Sequence, residues 1–113
     1  MERGANPQEV AAKIAEIEDE MKSTGLWQGE PLREEQYKFQ QSFAMDTMTF
    51  PQWLQFILIP KVKKIIEIGG AFPSHSEVGA KAFREFVMWP AYGDRDTERL
   101  LSLLNEFDAL FGA

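Results

Sequence analysis

Residues 45–64 read MDTMTFPQWLQFILIPKVKK, and the fold turns on this stretch. Thr49 stands where a helix N-cap would, Gln52 three residues on completes a capping box, and Met48 and Trp53 take the two positions of a hydrophobic staple. From there Phe50, Trp53, Leu54, Phe56, Ile57, Leu58, Ile59, Val62, Ile65, Ile66 and Ile68 cover most of the circumference of one helix. A helix apolar all round is buried all round, so this element is expected at the centre of the core. Gly69-Gly70 ends it, and Lys61, Lys63 and Lys64 lie toward its C-terminus, where the dipole favours cations. Pro60 falls inside it. A proline there has no N–H for the carbonyl of Phe56, and its ring pushes that turn open. Either the helix bends around a small core at this point, or the freed carbonyl and the bend form a binding notch.

Working outward, Asn6 can cap a first helix from about Pro7 to Thr24, with Pro7 at the first helical position and Glu9 three after the cap. Val10, Ile14, Ile17 and Met21 make its apolar stripe, and Gly25 stops it. Glu16, Glu18, Asp19 and Glu20 read as its solvated face. Residues 26–48 show no long period, yet carry Tyr37, Phe39 and Phe43. A loop of this length is functional or disordered, and its rings argue for a segment wrapped on the bundle with the aromatics tucked in. A short helical turn fits near Arg33–Phe39.

A third helix is expected after Ser74, with Glu77 completing a capping box, ending before Pro90. Val78, Ala82, Phe83, Phe86 and Val87 would be its apolar face. A fourth follows Asp94 as cap, with Leu100, Leu103, Leu104, Phe107, Leu110 and Phe111 as a clean stripe. The expected architecture is all-α: an irregular four-helix bundle around a buried central helix kinked at Pro60, with a long aromatic loop between helices one and two.

At 113 residues, 44% of them hydrophobic, the chain suits one domain spanning 1–113 with a modest core. No apolar run approaches the ~20 residues that span a bilayer, and MERGANPQEV lacks a signal-peptide core, so a cytoplasmic protein is expected. The absence of cysteine excludes disulfides and thiolate chemistry. A net charge of −6 disfavours broad nucleic-acid binding and leaves only a local basic patch for RNA.

Catalytic constellations fall short. His75 is the single histidine and sits beside an expected helix cap. Phe72 stands three before it, so the Glu-x-x-His pattern of carboxylate-bridged metal bundles fails. There is no nucleophile elbow and no phosphate-cradling glycine loop, since Gly69-Gly70 follows a helix rather than a strand. Neither a metal nor a cofactor is expected. Two features remain as candidates. Asp46-Thr47 sits just ahead of the greasy helix, where Asp46 either bonds backbone N–H groups at the helix start or serves a site. Lys61, Lys63 and Lys64 either solubilise the helix end or contact an anion or RNA.

Phe43, Met45-Asp46-Thr47-Met48, Trp53-Leu54-Gln55 and Ile59-Pro60, with the closing DALF from Asp108 to Phe111, resemble the signature of the YqcC-like family of small bacterial proteins. The resemblance covers most of the chain, and its central stretch is the specific part. Ser42 stands where the family often has proline, and residues 73–95 look longer and divergent. The resemblance implies an all-α bundle of unknown biochemical activity, whose members sometimes carry the label tRNA pseudouridine synthase C through gene neighbourhood beside a true synthase. Known pseudouridine synthases place a catalytic aspartate on a large mixed α/β scaffold with an RNA cleft. A short, acidic, all-α chain is a different object, so the label reads as an association.

The leading expectation is a non-enzymatic accessory or interaction module with a protein partner, linked through it to tRNA modification. The alternative is a small-ligand binder or enzyme with a pocket between the aromatic loop and Pro60, served by Asp46, Trp53 and Gln55. RNA contact through the three lysines is a third reading. A homo-oligomer is compatible with so small a bundle, though no residue demands one.

Overall fold

The computed structural model describes residues 5–88 and 96–111, and these form four helices with no strand among them. Helix α1, Pro7–Ser23, starts where Asn6 Oδ1 accepts from the backbone N–H of Gln8 (2.8 Å) and Glu9 (3.4 Å). Its stripe of Val10, Ile14, Ile17 and Met21 is fully buried.

Helix α2 runs over 50–68. Thr49 and Gln52 close the expected capping box, with Thr49 N donating to Gln52 Oε1 at 2.9 Å and Gln52 N to Thr49 Oγ1 at 3.3 Å. Met48 is buried and Trp53 packs against its cluster, as the staple requires. An α-helical turn Phe50–Trp53 gives way to a wider turn, Leu54–Leu58, in which Ile59 N reaches back five residues to Leu54 O. The α-helix then resumes at Ile59–Ile68 with Pro60 in its first turn. The wide turn answers the proline: loosening the ladder just before residue 60 makes room for a ring that would clash with a tight preceding turn, and such insertions often mark functional places. Gly69 ends the helix at φ 66°, a left-handed conformation that glycine adopts without steric penalty.

Burial of α2 differs from the expectation along its second half. No residue from 50 to 59 is exposed, whereas Pro60, Lys61, Lys63, Lys64, Glu67 and Ile68 all are. Only the first half is enclosed; beyond Pro60 the helix is amphipathic, with Val62 buried and the lysines in water. The element with close backbone neighbours on two sides is instead the last helix, α4, Glu98–Ala109, which lies against α1 and against the third helix. The long side chains of α2 (Phe50, Leu54, Leu58) fill the core while holding its backbone farther off.

Helix α3 covers 78–88, an α-helical Val78–Phe83 followed by a wide turn Arg84–Met88. It begins later than expected: Ser74 does not cap it, and His75 lies in the connection before it. Val78, Ala82 and Phe86 are buried, but Phe83 and Val87, expected on the same face, are about half exposed. They sit one position round from an i, i+4, i+8 stripe that is already sufficient to face α4. On α4 itself Leu100, Leu103, Leu104 and Phe107 are buried as expected, with Phe111 just beyond. The expected caps and ends at Asp94 and Pro90 lie outside the described residues; Asp96 Oδ1 accepts from Glu98 N at 3.1 Å. No described helix is long and apolar enough to cross a membrane.

Candidate functional site

The segment between α1 and α2 is held as one piece against the start of α2. Leu32, Gln36, Ala44 and Met48 are buried, and Trp27, Phe39, Phe43 and Met45 are half-buried. Tyr37, expected among the tucked rings, is 50% exposed, because the 3₁₀ turn Glu34–Tyr37 spends its inward position on Gln36.

Two glutamines fasten this loop. Gln55, buried on α2, lies along the backbone of Gln28: its Oε1 accepts from Gln28 N at 2.9 Å and its Nε2 donates to Gln28 O at 2.8 Å. The Gln28 side chain in turn accepts from Gln52 Nε2 at 3.1 Å and donates to Glu30 O at 2.8 Å. Gln36 does the same farther along. Its Oε1 accepts from Arg33 N at 2.9 Å, its Nε2 donates to Thr47 O at 3.0 Å, and its own carbonyl accepts from Thr47 Oγ1 at 2.6 Å. Buried amides are tolerated only when their donors and acceptors are met, and no buried side-chain polar atom among the described residues is left without a partner.

Asp46 behaves differently from the expectation. It is exposed, and the backbone amides it accepts from are those of Gln40 (3.0 Å, Oδ2) and Gln41 (3.4 Å, Oδ1) rather than those at the start of α2. Between those amides and Asp46 the chain passes through Phe43 at φ 60° and Ala44 at φ 53°. Two successive non-glycine residues in the left-handed region are strained by about 1–2 kcal/mol each, and the Asp46 carboxylate, the Gln36–Thr47 lock and the burial of Ala44 hold them there. Phe43 lands 4.7 Å from Trp53, edge to face, and Trp53 stacks on Phe50 at 6.0 Å. Phe50 continues the row to Phe86 of α3 at 5.6 Å. Asp46, Thr47, Trp53 and Gln55 thus all act at the seam between loop and helix. Each has a partner in that seam.

The lysines lie apart from it. Lys63 pairs with Glu18 of α1 at 3.2 Å, Lys64 with Glu67 at 3.7 Å, and Lys61 is exposed with no carboxylate partner among the described residues. Glu18 is held below the usual carboxylate range, chiefly by its hydrogen bond from Lys22, then by Lys63, against a burial contribution that pushes it up. Lys22 is correspondingly raised.

Asp108 on α4 is a residue that local sequence reading misses. Its Oδ1 accepts from Val78 N at 3.0 Å and from the Ser76 hydroxyl at 2.5 Å, and its Oδ2 accepts from Gly79 N at 2.6 Å. The first helix N–H groups of α3 are thus capped by a carboxylate from another helix, with the charge sign the dipole favours. A Cβ on Gly79 would stand 2.1 Å from Asn105 Oδ1 and 3.0 Å from Asp108 Oδ2, so glycine is what lets α3 come this close. No group of three or more His, Asp or Glu among the described residues is arranged to hold a metal ion.

Comparison with known proteins gives the arrangement its relatives. An uncharacterized protein of Haemophilus influenzae is 29% identical over 76 residues, covering 65% of this chain and 72% of that one. A protein of Pectobacterium carotovorum subsp. carotovorum named tRNA pseudouridine synthase C is 28% identical over 65 residues, 58% of this chain but only 17% of that relative. The solution NMR structure of protein YqcC from E. coli superposes with a TM-score of 0.76 at 25% identity, over 93% of this chain and 86% of that one. Residues 9–110 match the model of the DUF446 family, described as tRNA pseudouridine synthase C. The chain is therefore a member of the DUF446, or YqcC-like, family.

Proposed function

We propose that this protein is a non-catalytic interaction module that serves tRNA modification through a protein partner. The observation that carries the reading is the seam between loop and α2. Thr47 and Gln55, two polar residues of the central motif, spend their hydrogen bonds on loop backbone, and Asp46 does the same from the surface. Side chains used this way build a rigid surface rather than attack a substrate. That surface presents Tyr37, half exposed on a fixed turn, and aromatic groups of this kind anchor protein interfaces. In this reading the wide turn Leu54–Leu58 ahead of Pro60 sets the enclosed half of α2 under the loop. The relative named tRNA pseudouridine synthase C adds support, because the match takes up 17% of its length and leaves the greater part of that protein for the chemistry its name states.

The test is a pull-down of the tagged chain from native host lysate, split into RNase-treated and untreated halves and read by mass spectrometry. The reading expects one tRNA-modifying protein in both halves, lost from the Tyr37→Ser variant while its circular dichroism stays helical. Recovery only with RNA intact would replace the protein partner with RNA contact, for which Lys61, Lys63 and Lys64 are the available cations. Empty lanes in both halves would overturn the reading.

A further inference from the structure

A small, mostly apolar cavity of about 80 Å³ lies against α2, with no residue of the aromatic loop in its lining. Leu58, Val62 and Ile65 of α2, Phe72 of the following connection, and Phe107 and Phe111 at the end of α4 form its walls. Leu58 is the last residue of the wide turn, so the cavity opens where the ladder has been loosened ahead of Pro60. Phe111 stands 5.8 Å from Phe72 and 4.9 Å from Phe107, which makes one side aromatic. The walls are mostly apolar, and a largely apolar pocket favours hydrocarbon over water.

The polar groups at this cavity are few, and two are already engaged. Ser76 donates to Asp108, and His75 Nε2 lies 2.9 Å from Glu77 Oε2. Lys61 is the exception. On the described part of α2, Lys63 and Lys64 each have a carboxylate, while Lys61 lines the cavity with none. An unpaired ammonium beside a mostly apolar pocket selects a ligand with an anionic head and an apolar end. A volume of about 80 Å³ leaves room for only a short alkyl end. It is well below the ~300 Å³ of an ordinary metabolite site.

We propose that this cavity binds a short branched monocarboxylate, its alkyl end among Leu58, Val62, Ile65 and Phe107 and its carboxylate on Lys61. The site lies apart from the Asp46–Gln55 seam and stands or falls independently of the interaction reading. Sequence reasoning places a pocket between the aromatic loop and Pro60; this cavity is a different one, closed in part by Phe107 and Phe111, more than forty positions downstream of Pro60.

The test is a ¹H–¹⁵N NMR titration of the intact chain with sodium isovalerate at constant pH and ionic strength, with acetate and isovaleramide as controls. Saturable shifts are expected at Leu58, Val62, Ile65, Phe107 and Phe111, with a midpoint in the millimolar range. Acetate, lacking the alkyl end, and isovaleramide, lacking the charge, should each bind at least about fivefold more weakly, and Lys61→Gln should weaken isovalerate by about the same factor. Val62→Phe, which fills the cavity and leaves Lys61 in place, should abolish the response. Absence of saturable shifts up to roughly 50 mM, an equal response to acetate, or undiminished binding by Lys61→Gln would each overturn the proposal.

Discussion

The side-chain amide of Gln55 and the backbone of Gln28 form a two-point hydrogen-bonded pair, 2.9 and 2.8 Å, across 27 residues of sequence. One helical side chain thereby satisfies both the N–H and the C=O of a loop residue. This is the interaction a β-bridge would make, supplied here by glutamine in a protein whose described residues contain no strand.

Gln55→Leu should therefore be more damaging than its size suggests. It leaves the Gln28 N–H and C=O without partners in a half-buried place, at about 1–3 kcal/mol for each group that water cannot reach. A loss near 2 kcal/mol is expected in urea unfolding, with the Gln28 amide exchanging faster in ¹H–¹⁵N spectra while helix content holds. Unchanged exchange at Gln28 would show that the pair does not fasten the loop.

Asp108 and Gly79 are expected to behave as one unit. Asp108→Ala removes the cap of α3 and should lower stability by about 1–2 kcal/mol. Gly79→Ala adds helix propensity worth up to about 1 kcal/mol, yet its methyl group meets Asn105 and Asp108. Asn105 is exposed and can swing aside, whereas Asp108 can move only by releasing Val78 and Gly79 N–H. Gly79→Ala should be destabilising on the native background and markedly less so on Asp108→Ala, a non-additivity that a double-mutant cycle reads directly.

The pH dependence follows from ion pairs that tie α1 to its neighbours. Glu106 is held below its ordinary value of 4.5, chiefly by the hydrogen bond from Lys13, and Glu18 is lowered by Lys22 and Lys63. A carboxylate whose folded value is depressed contributes stability that is full above its unfolded value and is lost as pH falls through 4.5 and below. Lys13, raised above 10.5 by Glu106 first and then Glu16, contributes below that value and loses its share as pH rises past it. These surface pairs should leave stability flat across neutral pH, with an acid limb that 1 M salt weakens. In Lys13→Gln, the Glu106 carboxyl should titrate closer to 4.5 by NMR; an unmoved titration would contradict the pairing.

What the sequence made legible was local. The Thr49–Gln52 box spans three residues and Asn6 caps its own helix, so both can be read without knowing the fold. The stripes of α1 and α4 follow from helical period alone. The start of α3 was misread because its cap is Asp108, about 30 residues away, and a local search settles on Ser74 instead. Gln36 and Gln28 could not be picked out because a loop has no period to mark which residues turn inward. The second half of α2 was over-buried because an apolar count ignores the four charged side chains, Lys61, Lys63, Lys64 and Glu67, that keep one side in water. Among the expected site residues, Asp46, Thr47, Trp53 and Gln55 do gather at one seam, while the three lysines stand on a different face.

The most direct measurement is the pseudouridine content of host tRNA, read by mass spectrometry after incubation with the purified chain alone. The account expects no change at any concentration of the chain, since the Asp46 carboxylate is engaged by Gln40 and Gln41 N–H. Pseudouridine that accumulates with added chain and disappears with Asp46→Asn would contradict it.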